Sequence, residues 1–572
     1  MLKLNRLYPC LQAVSLLLAC VLSAAAVVQA AVVKKPPGYA VASAHPLATR
    51  AGLEIMRKGG NAFDAAVAVS AVLAVVEPYS SGLGGGGFWL LYQQQSQRSV
   101  MIDGREKAPL AAHKAMYLDS NGNIRKGASI NGPLAAGIPG QPAALVHIAR
   151  RYGRLPLTVT LAPAIRLAEQ GFRVDRIYRR MAAFRRKALR ASKDAARIFL
   201  RQGKVPDEGT LIVQQDLAAT LRSIAAHGNK GFYAGEVARK LVAASKKHGG
   251  VWTLQDLAGY RVVERRPLQL RYNRLRITTV VPPSSGGIVI AQILNMLAAK
   301  AGRGFDKLGT VQRIHLLVEA MRRAYRDRAR YLGDSDFVKV PVKRLTSRQY
   351  ARQLAGDILP GRATPSSRLP VSGNAAKIRH HTTHFSIIDR QGNRVAATLS
   401  INYPFGSGFV AAGTGVLLND EMDDFSSKPG SPNVYGLIGT QANAIAPGKR
   451  PLSSMSPSFI ESDSRVAIVG TPGGSRIITM VLLAILDFER GASAAQIVAG
   501  KRYHHQYLPD VIQHEPGAFS PSVERGLLKK GHKLRKIESG FGNMQIIVWD
   551  KNNDSLDVAS DPRGIGKAEA VE

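Results

Sequence analysis

The hydrophobic pattern of the chain changes near residue 380, and this change restricts the folds that the chain can adopt. Before it, apolar residues recur at helical spacing, which predicts helices over residues 141–151, 217–226, 287–301 and 311–332. After it, alternation over residues 383–388 and 394–399 around a polar turn predicts a β-hairpin. Further predicted elements are strands near residues 409–418, 458–460, 466–470 and 544–549 and an amphipathic helix over 477–488. A helix-rich part followed by a strand-rich part predicts a mixed α/β (α+β) fold with helices covering sheets.

An Ala/Val-rich run over residues 62–76 carries almost no charge and predicts a buried helix between Gly60-Asn61 and Pro78. A glycine-rich stretch at residues 80–88 follows, and a strand-like segment comes next. Nucleotide-binding loops have the opposite order, because they follow a strand and open a helix. The glycines are therefore more typical of close backbone packing beneath a site than of phosphate binding.

Residues 1–30 have the pattern of a secretory signal peptide, with Lys3 and Arg6 before an apolar stretch and a small-x-small site before Ala31. We therefore expect an exported protein, periplasmic or secreted, that starts at Ala31. A membrane anchor and lipidation at Cys20 are the alternatives, but the stretch is short for a stable membrane span. Because Cys10 and Cys20 both precede Ala31, the mature chain would contain no disulfide, catalytic thiolate or cysteine-bound metal.

The net charge of +38 is distributed unevenly. Residues 382–572 contain 19 Lys and Arg against 19 Asp and Glu, whereas residues 1–381 contain 59 against 21. Part of the excess lies in a predicted helical stretch over residues 176–197. A solvated helix face is the simpler interpretation, and contact with an anionic lipid or polymer is the alternative. We do not expect a nucleic-acid partner.

The sequence His380-His-Thr-Thr-His384 precedes the predicted hairpin and follows a polar, loop-like segment over residues 361–377. Three interpretations compete: a metal site formed by the histidines, a plain surface strand, or a nucleophile released by cleavage between His381 and Thr382. No carboxylate lies where a helical zinc motif has its general base. A threonine at a new N-terminus has its own amine as a base, and this interpretation explains the polar segment before it.

The remaining sequence contains groups that such a nucleophile needs. Acyl transfer requires N–H donors at the developing oxyanion, and the glycine turn at residues 471–476 offers them. Glu421–Asp424 contains three carboxylates suited to a charged amine, although alone it is typical of a solvated turn. Residues 449–457 add serine hydroxyls.

Several segments resemble the signature blocks of bacterial γ-glutamyltransferases, in family order over essentially the whole mature chain. The blocks are Gly60–Ala66 (GNAFDAA), Asp103–Glu106 (DGRE), 282–287, 319–323, Thr382–Ser386 (TTHFS), Asn419–Phe425 (NDEMDDF), Arg450–Pro457 (RPLSSMSP), Pro472–Arg476 (PGGSR) and Ser560–Arg563 (SDPR). The resemblance implies a four-layer αββα Ntn-hydrolase sandwich formed jointly by two subunits. Self-cleavage would produce a large subunit, residues 31–381, and a small subunit, residues 382–572.

The resemblance also implies roles for individual residues. Thr382 would be the nucleophile, Ser400 its hydrogen-bond partner where the family usually has threonine, and Gly473 and Gly474 the oxyanion hole. The substrate's α-amine would contact Asn402, Glu421 and Asp424, its α-carboxylate would contact Arg105, Ser453 and Ser454, and Tyr435 would stand at the gate of a lid loop over residues 429–435. Many bacterial members have glutamine at the position of Glu421.

The implied function is transfer of the γ-glutamyl group of glutathione and related amides through Thr382 to water or to an amino-acid or dipeptide acceptor. The implied chemistry requires no cofactor and no metal. A glutaryl-type cephalosporin acylase and a poly-γ-glutamate hydrolase are the alternatives within the family. A non-catalytic basic protein that binds polyanions is the alternative outside it.

Overall fold

Two antiparallel β-sheets lie face to face and are covered on their outer sides by helices. The computed structural model describes residues 34–369 and 382–572, apart from residues 429, 434 and 539. The predicted signal peptide and His381 lie outside the described residues. Residues 36–572 form one compact unit.

Both sheets combine strands from before and after Thr382. The strands are β1 (Tyr39–Ser43), β2 (Gly86–Gln93), β3 (Arg98–Gly104), β4 (Phe172–Arg173), β5 (Leu211–Ile212), β6 (Val263–Arg265), β7 (Leu268–Tyr272), β8 (Leu275–Thr279), β9 (Thr383–Ile388), β10 (Arg394–Ser400), β11 (Val410–Ala411), β12 (Val416–Leu417), β13 (Ser458–Glu461), β14 (Arg465–Gly470), β15 (Tyr503–His504), β16 (Ile512–His514), β17 (Leu534–Lys536), β18 (Gln545–Asp550), β19 (Ser555–Ser560) and β20 (Lys567–Val571). The first sheet has the order β20-β1-β9-β10-β2-β3-β6 and the second β19-β18-β14-β13-β8-β7. The predicted hairpin is β9–β10, and it lies inside the first sheet with every residue of its two strands buried.

The helices form the two outer layers and the connections. They are α1 (Pro46–Arg57), α2 (Ala62–Val76), α3 (Gln141–Tyr152), α4 (Leu157–Thr160), α5 (Ala162–Gln170), α6 (Arg176–Ala191), α7 (Lys193–Phe199), α8 (Gln215–His227), α9 (Lys230–Tyr233), α10 (Gly235–Lys247), α11 (Leu254–Ala258), α12 (Gly286–Ala301), α13 (Thr310–Tyr331), α14 (Val342–Leu345), α15 (Arg348–Gly356), α16 (Ile477–Glu489), α17 (Ala494–Ala499) and α18 (Pro521–Lys529). Helix α2 packs on β9 and β10, and α16 packs on β14. The arrangement is the four-layer αββα sandwich.

Three predicted elements differ from the structure. Residues 263–279 lie in the region predicted to be mainly helical, yet they form β6 to β8, because their short alternating runs extend both sheets. Strands β6 and β7 lie at sheet edges, and β8 pairs with β13 and β7. The strand expected near residues 409–418 is reduced to the two-residue strands β11 and β12 around a turn. Helix α16 is buried almost all round and not amphipathic, because α12, α17 and β15 as well as β14 of the sheet contact it.

Helix α2 begins with a capping box that its sequence encodes. The Asn61 Oδ1 accepts hydrogen bonds from the backbone N–H groups of Phe63 and Asp64 at 2.9 and 3.0 Å, and the Asp64 carboxylate accepts one from Asn61 N at 3.0 Å. These bonds satisfy N–H groups that would otherwise be buried without a partner.

We expect Asn61→Ala to lower the free energy of unfolding by about 1–2 kcal/mol, because it removes the side-chain cap. Asn61→Ser keeps an acceptor oxygen and, like Asn61→Ala, lacks the amide that donates to Tyr152 O, so it is the matched control. Urea unfolding of both variants and the wild-type protein measures the difference. Equal loss in the two variants would show that the cap is not the source of the stability.

Candidate active site

Thr382 lies directly before β9 and is 7% exposed. In the β9–β10 hairpin, Leu399 pairs with Thr383. The antiparallel register therefore places Ser400 opposite Thr382. The Ser400 hydroxyl accepts a hydrogen bond from the backbone N–H of Asn402 at 2.7 Å, which fixes its position beside Thr382.

The residue after the nucleophile position is held by a buried carboxylate. The Thr383 hydroxyl donates a hydrogen bond to Glu77 Oε2 at 2.6 Å, and the Tyr79 hydroxyl donates to Glu77 Oε1 at 3.4 Å. Burial raises the pKa of Glu77 to about 7, despite the two hydrogen bonds. Glu77 comes from the end of α2, so this contact joins the first helical layer to the start of β9.

The glycine turn after β14 lies on the other side of Thr382. Gly473 has a φ of 145° and Gly474 a φ of 54°, values that side-chain-bearing residues rarely adopt. The turn leads through the 3-10 helix Gly474–Arg476 into α16. The N-terminal N–H groups of this helical segment form the kind of site that stabilises a developing oxyanion.

Arg105 is the centre of a buried charge cluster that follows β3. Its Nη1 lies 2.7 Å from Glu421 Oε2, and its Nη2 donates to Asp424 Oδ2 at 2.5 Å. Glu106 Oε2 lies 3.4 Å from Nη1. These carboxylates raise the pKa of Arg105 above its ordinary value, although burial opposes the effect. Glu421 belongs to a buried 3-10 helix, so the expectation of a solvated turn was wrong.

Glu421 has unused hydrogen-bonding capacity. Neither of its carboxylate oxygens receives a hydrogen bond from the residues that the structure describes, although Arg105 lies within ion-pair distance. Burial raises the pKa of Glu421 well above its ordinary value, and the nearby Glu106 adds to the increase. An ammonium group at this position would supply both the missing donors and the missing charge.

Ser453 and Ser454 lie on an extended segment held by the turn before α12. Ser453 N donates to Pro283 O at 2.8 Å, and Ser453 O accepts from Ser285 N at the same distance. The Ser454 hydroxyl accepts a hydrogen bond from Arg328 NH2 at 3.2 Å. Both hydroxyls therefore have fixed positions near Arg105.

Asn402 and Tyr435 form the remaining wall. Asn402 has a φ of 72°, and its side-chain amide donates to Asp420 O at 2.9 Å. The Tyr435 hydroxyl donates to Asn402 O at 2.8 Å, and Tyr435 O accepts from Gln506 Nε2 at 3.3 Å. Tyr435, the predicted gate residue, is thus buried, and hydrogen bonds hold both its hydroxyl and its backbone carbonyl.

A small cavity of about 20 Å³ brings most of the predicted site residues together. Its lining includes Arg105, Thr382, Ser400, Asn402, Glu421, Asp424, Tyr435, Ser453, Ser454 and Gly474. Gly473 lines a neighbouring larger cavity that also reaches Thr382. All the named site residues are therefore found around one point, except His381, which lies outside the described residues.

His384 is the histidine of the His380–His384 motif that the structure describes. His384 is fully buried, and its ring nitrogens contact the hydroxyls of Thr398 at 2.8 Å and Ser386 at 3.3 Å. Burial lowers the pKa of His384 to about 3, so the ring is neutral. Among residues 34–369 and 382–572, no three His, Cys, Asp or Glu side chains are grouped as metal ligands.

The sequence did not predict that two further buried residues, Arg328 and Glu77, lie at the site. Arg328 on α13 donates to Ser454 and, through Nε, to the Ser285 hydroxyl at 3.0 Å. Glu77 contacts Thr383. The burial of Arg328 could have been suspected from its position three residues after Tyr325 on the apolar face of α13, but no local motif pointed to Glu77.

Comparison with known proteins identifies the family, because the Gamma-glutamyltranspeptidase model matches residues 48–571. The chain belongs to the gamma-glutamyltranspeptidase family. It is 41% identical over 532 residues to the glutathione hydrolase proenzyme of Escherichia coli (strain K12), covering 92% of this chain and 90% of that one. It is 44% identical over 503 residues to that of Pseudomonas sp. (strain A14), covering 86% of each. The solved cephalosporin acylase from Bacillus halodurans has a TM-score of 0.81 at 28% identity, covering 94% of this chain and 97% of that one.

These similarities confirm the predicted family, the Ntn-hydrolase fold and the prediction that the chain is an enzyme. The roles of individual residues and the subunit boundary stay predictions. None of the helices in the described ranges is long and apolar enough to cross a bilayer.

The raised pKa of Glu77 predicts that the free energy of unfolding depends on pH. Because the folded protein favours the protonated form of Glu77, this group stabilises the fold fully below pH 4.5. The stabilisation is lost as the pH rises to about 7. Glu77→Gln keeps acceptor capacity for Thr383 and removes the ionisation. We expect the variant to gain roughly 2–4 kcal/mol relative to the wild-type protein between pH 4.5 and 7.

Denaturant unfolding at several pH values measures this gain. The exposed Glu208 provides the control, because Glu208→Gln changes the same charge without burial. Parallel pH profiles for Glu77→Gln and the wild-type protein would contradict the prediction.

Proposed function

We propose that this family member cleaves itself before Thr382 and then uses Thr382 to transfer γ-glutamyl groups. The small cavity supports this proposal most directly, because Thr382 shares it with a buried guanidinium, two carboxylates and two serine hydroxyls. Self-cleavage gives a large subunit, residues 31–381, and a small subunit, residues 382–572. The two remain one heterodimer, since both sheets combine strands from each.

The first half of the reaction forms an ester. The Thr382 hydroxyl oxygen attacks the γ-carbonyl carbon while its proton passes to the free α-amine of the same residue. The carbonyl oxygen becomes an oxyanion that accepts hydrogen bonds from the N–H groups of Gly473 and Gly474. The C–N bond then breaks, and the leaving amine takes the proton from the α-ammonium group.

The second half of the reaction releases Thr382. Water or an acceptor amine adds to the ester carbonyl and gives a proton to the α-amine of Thr382. Collapse of the oxyanion breaks the ester bond and returns that proton to the hydroxyl of Thr382. Water yields glutamate, and an amino acid or peptide yields a new γ-glutamyl amide.

Recognition of the γ-glutamyl group relies on both charges of its amino-acid end. The α-carboxylate binds Arg105, Ser453 and Ser454, because a guanidinium pairs with a carboxylate in a bidentate manner. The α-ammonium group binds Glu421 and Asp424, and Asn402 contributes to the same wall. Because a cavity of about 20 Å³ holds about one water, the substrate has to separate Arg105 from its carboxylates.

Self-cleavage is tested by intact mass and N-terminal sequencing. We expect the wild-type protein to give a smaller chain that begins Thr-Thr-His-Phe, whereas Thr382→Ala stays one chain because it lacks the hydroxyl. Thr382→Ser keeps a hydroxyl and is the matched control, for which we expect cleavage. A wild-type protein that stays intact, or a Thr382→Ala variant that is cut at the same bond, would rule out the mechanism.

A second candidate activity is glutaryl amide hydrolysis, which the similarity to a cephalosporin acylase favours. Glutaryl substrates lack the α-ammonium group that Glu421 and Asp424 would bind. We expect kcat/KM for γ-glutamyl-4-nitroanilide to exceed that for glutaryl-4-nitroanilide by at least about 100-fold, because a charged contact contributes roughly 3 kcal/mol.

Glu421→Gln should reduce this preference by about tenfold through KM, since it removes one negative charge and keeps the shape of the side chain. Steady-state kinetics with both anilides measures the preference. A faster reaction with the glutaryl compound would favour the acylase activity.

A further inference from the structure

Arg328 is a buried cation that contacts the serine wall of the small cavity. It belongs to the last turn of α13 and is 4% exposed. Ser453 and Ser454 line the cavity, whereas Arg328 does not. The contacts of Arg328 are therefore with the wall and not with a ligand inside the cavity.

The guanidinium of Arg328 reaches both serines of this wall. Its Nη2 donates a hydrogen bond to the Ser454 hydroxyl at 3.2 Å, and its Nε donates one to the Ser285 hydroxyl at 3.0 Å. The Ser285 hydroxyl in turn donates to Ser453 O at 2.7 Å. One guanidinium thus holds the side chain of Ser454 directly and the backbone of Ser453 through one intermediate.

Within the described part of the chain, no carboxylate forms an ion pair with Arg328. Its sequence neighbour Asp327 pairs with Arg326, and Asp424, whose charge acts on Arg328, pairs with Arg105. Burial lowers the pKa of Arg328 to about 10, so the guanidinium stays charged at neutral pH. A charged donor forms strong hydrogen bonds, and a hydroxyl that accepts one becomes a better donor of its own proton.

The hydroxyls of Ser453 and Ser454 both accept hydrogen bonds from the protein. Ser454 Oγ accepts from Arg328, and Ser453 Oγ accepts from Met455 N at 3.1 Å. Neither hydroxyl donates its own proton to an acceptor among the residues that the structure describes. Because both hydroxyls line the small cavity, their protons are available to an anion there.

The proposed contact with the α-carboxylate needs these protons because Arg105 is already engaged. Its guanidinium lies 2.7 Å from Glu421, 2.5 Å from Asp424 and 3.4 Å from Glu106. A guanidinium shared among three carboxylates attracts a fourth less strongly than a free one would. Correctly oriented hydroxyl donors therefore contribute a larger part of the recognition.

We propose that Arg328 is a positioning residue for substrate recognition. It holds Ser454 directly, and Ser453 through Ser285, so that both hydroxyls donate to the α-carboxylate of the γ-glutamyl group. This inference rests on the proposed function, because it assigns a further residue to the same site. The ligand class that Arg328 favours is an amino-acid end with a free α-carboxylate, as opposed to a neutral α-carboxamide.

The test compares two substrates that differ only at the α-position. They are γ-glutamyl-4-nitroanilide and its α-carboxamide analogue, which keeps the ammonium group and the scissile amide. For the wild-type protein we expect the carboxylate to raise kcat/KM by about 100-fold, because charge-assisted hydrogen bonds favour it. For Arg328→Gln we expect this preference to fall to about tenfold or less, through a higher KM for the carboxylate substrate. The KM for the carboxamide and both kcat values should change by less than about threefold.

Arg330→Gln is the matched control, because Arg330 is an exposed arginine two positions further along α13. We expect it to keep the wild-type preference. Arg328→Lys keeps the charge but lacks the planar fork that contacts two hydroxyls at once, so its preference should be intermediate. An equal rise in KM for both substrates in Arg328→Gln would show a merely structural role and would overturn the proposal. A wild-type preference in Arg328→Gln would overturn it as well.

A double-mutant cycle with Ser454→Ala shows whether Arg328 acts through that hydroxyl. When Ser454 is already alanine, we expect Arg328→Gln to lower the preference by about threefold or less, because the contact is absent. Losses that multiply in the double variant would show that the two residues act independently and would contradict the assignment.

Ser285→Ala provides a second test if Arg328→Gln does not fold. The Ser285 hydroxyl joins Arg328 to Ser453 O and does not line the small cavity. We expect its removal to reduce the preference by about threefold while the KM for the carboxamide stays the same. An unchanged preference in both Ser285→Ala and Arg328→Lys would overturn the proposal.

The outcomes separate this inference from the proposed function. A protein whose preference for the carboxylate survives in Arg328→Gln retains the proposed function and loses the inference. A wild-type preference near one removes the inference together with the proposed binding of the α-carboxylate, although hydrolysis of the anilide would still show the activity. A protein that hydrolyses neither substrate loses both.

Discussion

The site depends on close backbone packing along Gly84–Gly87, at the start of β2. A Cβ atom on Gly84 would overlap Leu417 O, one on Gly85 would overlap Ser400 O, and one on Gly86 would overlap Gly104 O. Each of these contacts holds a segment that leads to the site: Leu417 precedes the Asn419–Asp424 turn, Ser400 faces Thr382, and Gly104 precedes Arg105. The glycines therefore set the distances between Thr382 and the charged groups, as the order of the sequence elements suggested.

The charged groups at the site stabilise the fold only in combination. Burying a carboxylate or a guanidinium alone costs several kcal/mol, and Arg105 offsets this cost for Glu421, Asp424 and Glu106 together. Under the proposed function, a zwitterionic substrate would replace one internal set of ion pairs by two intermolecular ones. The net charge of the site is unchanged by such an exchange, so specificity arises from where the substrate's two charges lie.

Periodicity predicted the elements whose burial follows directly from their composition. The hairpin and helix α2 are examples, because alternating or uniformly apolar residues leave few other structures. The resemblance located nearly all of the site, since its blocks are short and keep their order. It could not show that Arg105 pairs with Glu421 and Asp424, because pairing depends on the distance between segments more than 300 residues apart. Strands β6 to β8 were missed because each is short, and because β6 and β7 lie at sheet edges, where few apolar residues are needed.

Glu77 and Arg476 show the same limit of local sequence analysis. Glu77 has no motif around it, and Arg476 belongs to the Pro472–Arg476 block without a role that the block implies for it. Each acquires its chemical character from burial beside a group that is distant in the chain.

The uneven distribution of charge along the chain affects the candidate site at one place, helix α6. Many of the basic residues before residue 382 are exposed on helices that are distant from Thr382 in the sequence. At such exposed positions, a single charge contributes little beyond solubility. Other arginines are already neutralised inside the protein, as Arg323 is by Glu319 and Arg265 by Asp103. Helix α6 differs because Arg180 on its basic face lines the same large cavity as Thr382. The fold therefore brings part of a general basic composition to the candidate site.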